Sequence, residues 1–421
     1  MVFHMTTLLN KTELSTGVDF EYLANLFRPL FARIALHAAD RDRERQLPYE
    51  AISWLKDARF GALRLPVSQG GFGASIPQLF QLIIELAEAD PNIAQALRSH
   101  FAFVEDRLNA SRDASQSVWL DRFASGQIVG GAWTETGGVA IGDVRTKVEN
   151  RSGQWVINGL KYYSTGALFA DWLDVYARRA DNGGDVIAVV NRNQPGVVIE
   201  DDWDGFGQVG TSSGTSRFEN ASVEAQNIID FGTRFRYQTA FYQLFHVATL
   251  AGIGRAVKRD AATLVSARTR VYSHGNATRV SDDAQIQQVV GELTSWAYAA
   301  EAVALRATTA VQQAYEAHFN ADEQGEQVAN VAAEIESAQS QIVVAELVLR
   351  AATHLFDALG ASAISVTKGL DRHWRNARTL SSHNPLVYKA RIVGDWAING
   401  TEPTYVWQIG DGSSRTEGAK Q

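Results

Sequence analysis

The stretch from Trp155 to Gly166, WVINGLKYYSTG, decides the fold. Apolar and β-branched residues flank Asn158-Gly159, a dipeptide that favours two-residue hairpin turns, so the stretch reads as two paired strands joined there. Downstream, Leu173, Val175 and Ala177 alternate with more polar neighbours, and DVIAVV (Asp185 to Val190) is an apolar run of buried-strand length. Gly, Asn and Asp punctuate the chain as far as Gly232. Residues 127–232 therefore read as a β-domain.

On either side the period changes to that of a helix. In the first part, residues 1–126, Leu23, Leu26, Phe27, Leu30, Phe31 and Ile34 form one apolar stripe. Pro48 opens a second helix through Trp54, another runs from Pro77 to Ala89, and Pro91 opens the one that carries His100. A further helix spans 114–124 and stops at Gly126. The third part, residues 233–421, has long helical patterns over 241–271, 283–319 and 328–359. Asn320 to Gln327 (NADEQGEQ) reads as the loop before the last of these. Such lengths suggest a bundle with neighbouring subunits packed on it. Strand and helix do not alternate, which speaks against a Rossmann domain. GGFG at Gly70 to Gly73 lacks the strand-to-helix setting of a dinucleotide fingerprint.

Composition narrows the chemistry. The 421 residues contain no cysteine, which excludes disulfides, thiolate metal sites and a cysteine nucleophile. A net charge of −8 gives no electrostatic footprint for nucleic acid. No apolar run approaches membrane-spanning length, and the N-terminal residues lack the pattern of a signal peptide, so a cytoplasmic protein is expected. His4, His37, His246, His318, His354 and His373 show no metal-ligand spacing, and no metal is expected. Charged runs such as DRDRERQ (Asp40 to Gln46) read as solvated helix faces.

The order of helices, β-domain and helical bundle resembles that of the acyl-CoA dehydrogenases. GGAWTETGG (Gly130 to Gly138) is similar to the family's "LTEPxxGS" stretch, which faces the flavin ring, and WVINGLKYYSTG to its "INGxKxxxTxG" strands. Three longer segments resemble one branch, the reduced-flavin monooxygenases of the dibenzothiophene monooxygenase and sulfur-acquisition type. They are Asp201 to Val223, Ser266 to Leu293 and Arg372 to Gly400, the last with RHWRNART followed by HNP. The implied fold is mainly α with a central β-domain: an N-terminal helical domain, a middle β-barrel-like domain and a C-terminal four-helix bundle. Where acyl-CoA dehydrogenases commonly place a glutamate base, this chain has TLSSHNP (Thr379 to Pro385), without a carboxylate.

The resemblance implies a two-component enzyme that uses O2 and reduced FMN, supplied by a separate flavin reductase, and works through a flavin C4a-peroxide. It implies His100, Ser164 and His383 as the catalytic groups. Histidine suits the task because a neutral imidazole donates on one nitrogen and accepts on the other. Read from residues alone, His100 is equally a hydrogen-bonded helix histidine and Ser164 a turn residue. For FMN the resemblance implies Trp133 and Thr134 along the ring, Ser164 near its reactive edge, and Trp203 as a wall. Arg270, with His274 close by, is implied at the phosphate, because a guanidinium fork matches phosphate oxygens. Ser213 and Thr215, flanking Gly214, could add hydroxyls there or form a simple β-turn. The expected substrate is a small molecule oxygenated at sulfur; N-hydroxylation or aromatic hydroxylation on the same scaffold, and an FAD-dependent acyl-CoA dehydrogenase with Glu135 as a candidate base, are the alternatives. A flavin-free scaffold is a third reading. The resemblance also implies a homotetramer built through the bundle, with GTEPTYVWQIGDG (Gly400 to Gly412) packing across a subunit boundary.

Overall fold

The computed structural model describes residues 18–110, 116–137 and 140–406. The first residues with His4, the start of the 114–124 helix, Gly138 and the tail beyond Val406 lie outside them. Seven helices come first: α1 (Phe20–Ala35), α2 (Ala38–Glu44), α3 (Tyr49–Asp57), α4 (Ile76–Ala89), α5 (Pro91–Ala96), α6 (Arg98–Asn109) and α7 (Gln116–Ala124). Eight strands follow: β1 (Val129–Ala132), β2 (Lys147–Arg151), β3 (Gln154–Lys161), β4 (Trp172–Arg179), β5 (Asp185–Asn191), β6 (Val197–Ile199), β7 (Ser216–Val223) and β8 (Ile228–Asp230). Then come α8 (Gln238–Ala267), α9 (Ala284–His318), α10 (Glu323–Leu359), α11 (Asp371–Ser382) and α12 (Leu386–Asn399).

Local chemistry sets several of the helix starts. Ser75 and Gln78 form a reciprocal capping box at α4, and the Asp90 side chain caps α5. α1 buries Leu23, Ala24, Phe27, Phe31 and Ile34, whereas Leu26 turns outward. The helix predicted from Pro91 through His100 is two, α5 and α6, broken at Leu97. The predicted loop 320–327 is shorter than expected. Asp322 accepts from Gly325 N and starts α10 at Glu323, with acidic Glu323 and Glu326 in the first turn, where the helix dipole favours them. α8 stops at Ala267, before the predicted Val271.

The strands form one mixed sheet in the order β6-β7-β3-β2-β4-β5-β8, with β1 parallel to β4. The hairpin is real but its turn lies elsewhere. β3 runs straight through Asn158-Gly159, and the reversal falls between β2 and β3 at Ser152 and Gly153. Asn158-Gly159 is an irregularity in the β3–β7 register. A Cβ on Gly159 would meet Thr146 Oγ1 at 2.3 Å, so glycine serves close approach here, not reversal. Leu173, Val175 and Ala177 are fully buried, and β4 and β5 pair along their whole lengths.

One apolar core runs from α1 and α4 through the sheet into α8, α9 and α10. Among the described residues, no helix is long and apolar enough to cross a membrane.

Candidate active site

A cavity of about 190 Å³ opens where α6, the end of β1, the loop after β3, the first turns of α8 and the α11–α12 junction meet. Trp133 forms one wall. Its Nε1–H donates to Asp174 Oδ1 at 2.8 Å, and its ring packs against Tyr176, Phe231 and Tyr242. Arg234 lies 5.1 Å over the same ring and 3.5 Å from Asp174, so the buried carboxylate and guanidinium compensate each other behind the indole. Thr134 follows on the rim; its carbonyl accepts from Tyr162 N at 2.9 Å, which ties it to the end of β3.

Tyr163, beside it, lines the cavity and has φ +60°, a left-handed backbone unusual for a tyrosine. That conformation turns Ser164 inward. Ser164 is fully buried, and its Oγ has no hydrogen-bond partner. Buried hydroxyls are normally paired, so this one is unusual, but Ser164 is not among the residues that line the cavity; its neighbour Tyr163 is. Trp203 stands behind Tyr163, 6.0 Å ring to ring, and is outside the cavity lining.

The opposite wall carries His383 and Asn384. Asn384 Nδ2 donates to Gln243 Oε1 at 3.0 Å. Arg98 NH2 approaches His383 Nε2 at 3.4 Å. A guanidinium only donates, and so does the Asn384 amide nitrogen 3.3 Å from Nδ1, so both ring nitrogens face donors and the neutral imidazole accepts from only one of them at a time. His383 is exposed on its cavity side, while protein encloses the rest of the ring. Enclosure and the Arg98 charge both disfavour a second proton and hold its pKa well below the ordinary imidazole value. Water on the open side softens the first effect but leaves the neighbouring cation in place.

His246, on α8, lies 4.3 Å from the His383 ring, centroid to centroid. It is fully buried, and neither ring nitrogen has a partner. Burial, then His383, Arg98 and Lys389, keep it neutral. The sequence alone offers His246 only as one of the histidines without metal-ligand spacing. Its signal was helical spacing: Tyr242, Gln243 and His246 fall on one face of α8. The first turn of that helix is anchored by Glu334 Oε1, which accepts from Ala240 N at 2.7 Å.

The RHWRNART stretch fastens α11 and thereby aims His383. Arg372 and His373 both reach Asp260 Oδ2 on α8, each at 2.9 Å. Arg375 binds Asp42 and Asp371, and Asn376 Oδ1 accepts from Gln208 N. None of these side chains lines the cavity.

Several expected site residues lie elsewhere. His100 is fully buried beneath the cavity; its Nε2–H donates to Gly61 O at 2.9 Å and its Nδ1 accepts from Val129 N at 3.3 Å. One helical step of about 100° separates it from Ser99, so Arg98 and Ser99 are the α6 residues that reach the cavity. Ser213 Oγ pairs with Thr165 Oγ1 at 2.9 Å and Thr211 Oγ1 at 2.7 Å. Both Thr215 N and its Oγ1 bind the Asp202 carboxylate, a group that repels phosphate. Arg270 and His274 are exposed on the loop after α8. Gln243, near the other end of α8, lines the cavity. Twenty-odd residues at 1.5 Å each put roughly 36 Å of helix between the two, too far for one FMN to span within a single chain. Glu135 is held by Lys161 Nζ at 2.7 Å and by the N–H groups of Arg145 and Thr146. Burial opposes its charge, but those donors outweigh it and hold the carboxyl far below its usual range, which makes it a weak base.

His100 gives a pH signature. Burial, opposed by the weaker pull of the Gly61 bond, lowers its pKa to about 4. Between that value and roughly 6.5 the unfolded chain binds a proton that the folded chain does not. Its contribution is therefore complete above the upper value and lost as the pH falls through the window, by up to about 3 kcal/mol. Urea titrations of wild type and His100→Gln should converge on acidification; parallel profiles would contradict this.

The arrangement fits a flat aromatic cofactor: an indole wall and a threonine rim facing an imidazole kept neutral, with the unpaired Ser164 hydroxyl buried behind the lining residue Tyr163. Comparison with known proteins agrees. Models of the acyl-CoA dehydrogenase N-terminal, middle and C-terminal domains match residues 25–127, 131–221 and 244–387. A probable FMNH2-dependent monooxygenase of Pseudomonas putida is 27% identical over 387 residues, covering 89% of this chain and 94% of that protein. A dibenzothiophene monooxygenase of Rhodococcus erythropolis is 24% identical over 388 residues, covering 87% and 90%. The structure of methanesulfinate monooxygenase from Pseudomonas fluorescens matches with TM-score 0.82 and 26% identity, covering 91% of this chain and 98% of that one. The FMN-bound dibenzothiophene monooxygenase of Paenibacillus sp. A11-2 matches with TM-score 0.81 and 25% identity, covering 91% and 99%.

Proposed function

This chain belongs to the acyl-CoA dehydrogenase family, in its flavin monooxygenase branch, and from that premise we propose a reduced-FMN-dependent monooxygenase that oxygenates a small organic substrate at sulfur. One observation carries the reading. Among the described residues no carboxylate lines the cavity, and the titratable group facing Trp133 across it is a neutral histidine. Desaturation of an acyl thioester needs a base at the substrate, and the nearby Glu135 is locked by its donors.

FMN, when bound in its reduced form, supplies two electrons to O2. The residues of this chain do the rest. Trp133 and Thr134 would hold the ring, and the unpaired Ser164 hydroxyl, one residue beyond the lining Tyr163, would serve its edge only if Tyr163 shifts. His383, held neutral, would donate a hydrogen bond from one ring nitrogen and accept a proton on the other. Phe231, Ala132 and Val406 narrow the access of water.

A separate reductase supplies the reduced flavin in this reading, and the cytoplasm is where such a supply exists. A homotetramer completes the site. Tyr298, Ile364, Val366 and Ile398, on and beside the C-terminal helices, are exposed apolar residues suited to subunit packing. In that assembly Arg270 of the partner subunit, rather than the chain's own, meets the FMN phosphate. Arg270→Ala should then weaken FMN binding roughly ten- to a hundredfold, measured by fluorescence titration. Unchanged affinity would remove Arg270 from the site.

Anaerobic mixing with reduced FMN, followed by oxygen, tests the function. Bound flavin should reoxidise in resolved stages, unlike the single phase of free flavin. Tight FAD binding with bleaching by an acyl-CoA would contradict the reading.

A further inference from the structure

Two histidines meet behind the cavity wall, and the hydrogen bonds of each are incomplete. A neutral imidazole has one N–H to give and one lone pair to fill. His383 meets two donors, the Arg98 guanidinium at 3.4 Å and the Asn384 amide nitrogen at 3.3 Å. Both contacts are long, and neither offers an acceptor to the imidazole N–H. His246 is fully buried, and both its ring nitrogens are without a protein partner. Burial, with His383, Arg98 from α6 and Lys389 from α12 around it, keeps His246 neutral, so it too has one N–H and one lone pair. Lys389 is itself buried and interacts with Glu334 of α10, whose carboxyl is pushed above its usual range by burial.

The two imidazoles lie 4.3 Å apart, centroid to centroid, with their planes tilted by 43°. The last side-chain torsion of histidine is broad, so a small turn of either ring brings nitrogen toward nitrogen. Asn384 Nδ2 donates to Gln243 Oε1, one turn before His246, which fastens the α11–α12 junction to the same stretch of α8. We propose that His246 is a positioning residue: its unprotonated nitrogen accepts the N–H of His383 and so decides which nitrogen of His383 keeps its lone pair. This rests on the oxygenase reading above only for the use to which His383 is put. The competing arrangement reverses the Asn384 and Gln243 amides, so that Asn384 Oδ1 accepts from His383 and His246 merely fills space.

Diethyl pyrocarbonate acylates the lone-pair nitrogen of a neutral imidazole, and mass spectrometry of the digest reads His383 by itself, without flavin or turnover. Full-length wild type, His246→Gln and His246→Phe would be compared at neutral pH. Glutamine keeps an acceptor, whereas phenylalanine keeps the ring and its packing. His383 should react at least about fivefold more slowly in His246→Phe than in wild type, and within about threefold of wild type in His246→Gln, as the loss of one hydrogen bond implies. A space-filling role predicts the opposite order. Equal rates in wild type and His246→Phe, or a faster rate in His246→Phe than in His246→Gln, would overturn the inference. Should a variant not fold, neutron diffraction from wild-type crystals decides. A deuteron between the two rings is expected, and one between His383 and Asn384 Oδ1 would overturn the inference. The predicted order of reactivity with no oxygenated product from wild type would contradict the oxygenase reading alone. Oxygenated product from wild type, with His383 equally reactive in all three proteins, would contradict this inference alone.

Discussion

An enzyme carrying His383→Ala is expected to form oxygenated product ~10²–10⁴-fold more slowly than wild type, the range typical of a lost general acid or base. Reduced FMN should still bind, because the Trp133 wall and the Thr134 rim are untouched. Flavin oxidation should also continue, but its oxygen should appear as hydrogen peroxide. The reasoning is geometric. His383 faces the cavity from the end of α11, with Arg98 on Nε2 and Asn384 beside Nδ1. His246 supports the ring from behind at 4.3 Å. An alanine leaves no imidazole on that wall to donate a hydrogen bond or accept a proton at neutral pH. Simultaneous assays of product and peroxide check the prediction. Product formation within a factor of three of wild type would remove His383 from the chemistry.

The second large effect concerns stability. Glu105→Leu should destabilise the fold by about 3–5 kcal/mol, because it strands a buried cation. Glu105 is fully buried and accepts from Arg64 Nε at 3.1 Å and NH2 at 3.2 Å, and from Tyr237 OH at 2.7 Å. These bonds join the loop after α3 to α6 and to the start of α8, the elements that carry Arg98 and Gln243 to the cavity. Pairing the change with Arg64→Met removes both charges and should recover part of the loss. Thermal melts should show a fall of roughly 6 °C or more for the single variant. A single variant within about 1 kcal/mol of wild type, or a double variant no better than the single, would contradict the argument.

How much of this was legible in the sequence depends on the range of the interaction. Helical stripes and strand alternation are local, so the order of helices, strands and helices could be read directly. The errors were local chemistry given the wrong geometry. Asn158-Gly159 looks like a turn, yet its glycine is there because Thr146 lies against it. Asp322 looks like part of a loop, yet it caps α10. The site was harder. Trp133, Thr134 and His383 do share one cavity. His100 does not, because a helix turns about 100° between neighbours and Ser99 takes the inward position. Arg98 and His246 were missed for the same reason. Nothing in LRSH or LFHV says that one side chain will find no carboxylate and the other no hydrogen-bond partner; both facts arise only once distant elements are packed. Arg270 and His274 are read as flavin ligands from resemblance, but α8 carries them away from the cavity of their own chain.

The central claim is that this protein transfers one atom of O2 to a sulfur substrate at the expense of reduced FMN. Isotopically labelled dioxygen tests it most directly. Wild-type protein, a flavin reductase, FMN and methanesulfinate or dimethyl sulfide would be incubated under labelled O2 and the products analysed by mass spectrometry. One labelled oxygen atom per product molecule, dependent on the protein and on reduced FMN, is the predicted result. Labelled peroxide with no oxygenated product from either substrate, or a product whose new oxygen comes from water, would contradict the account.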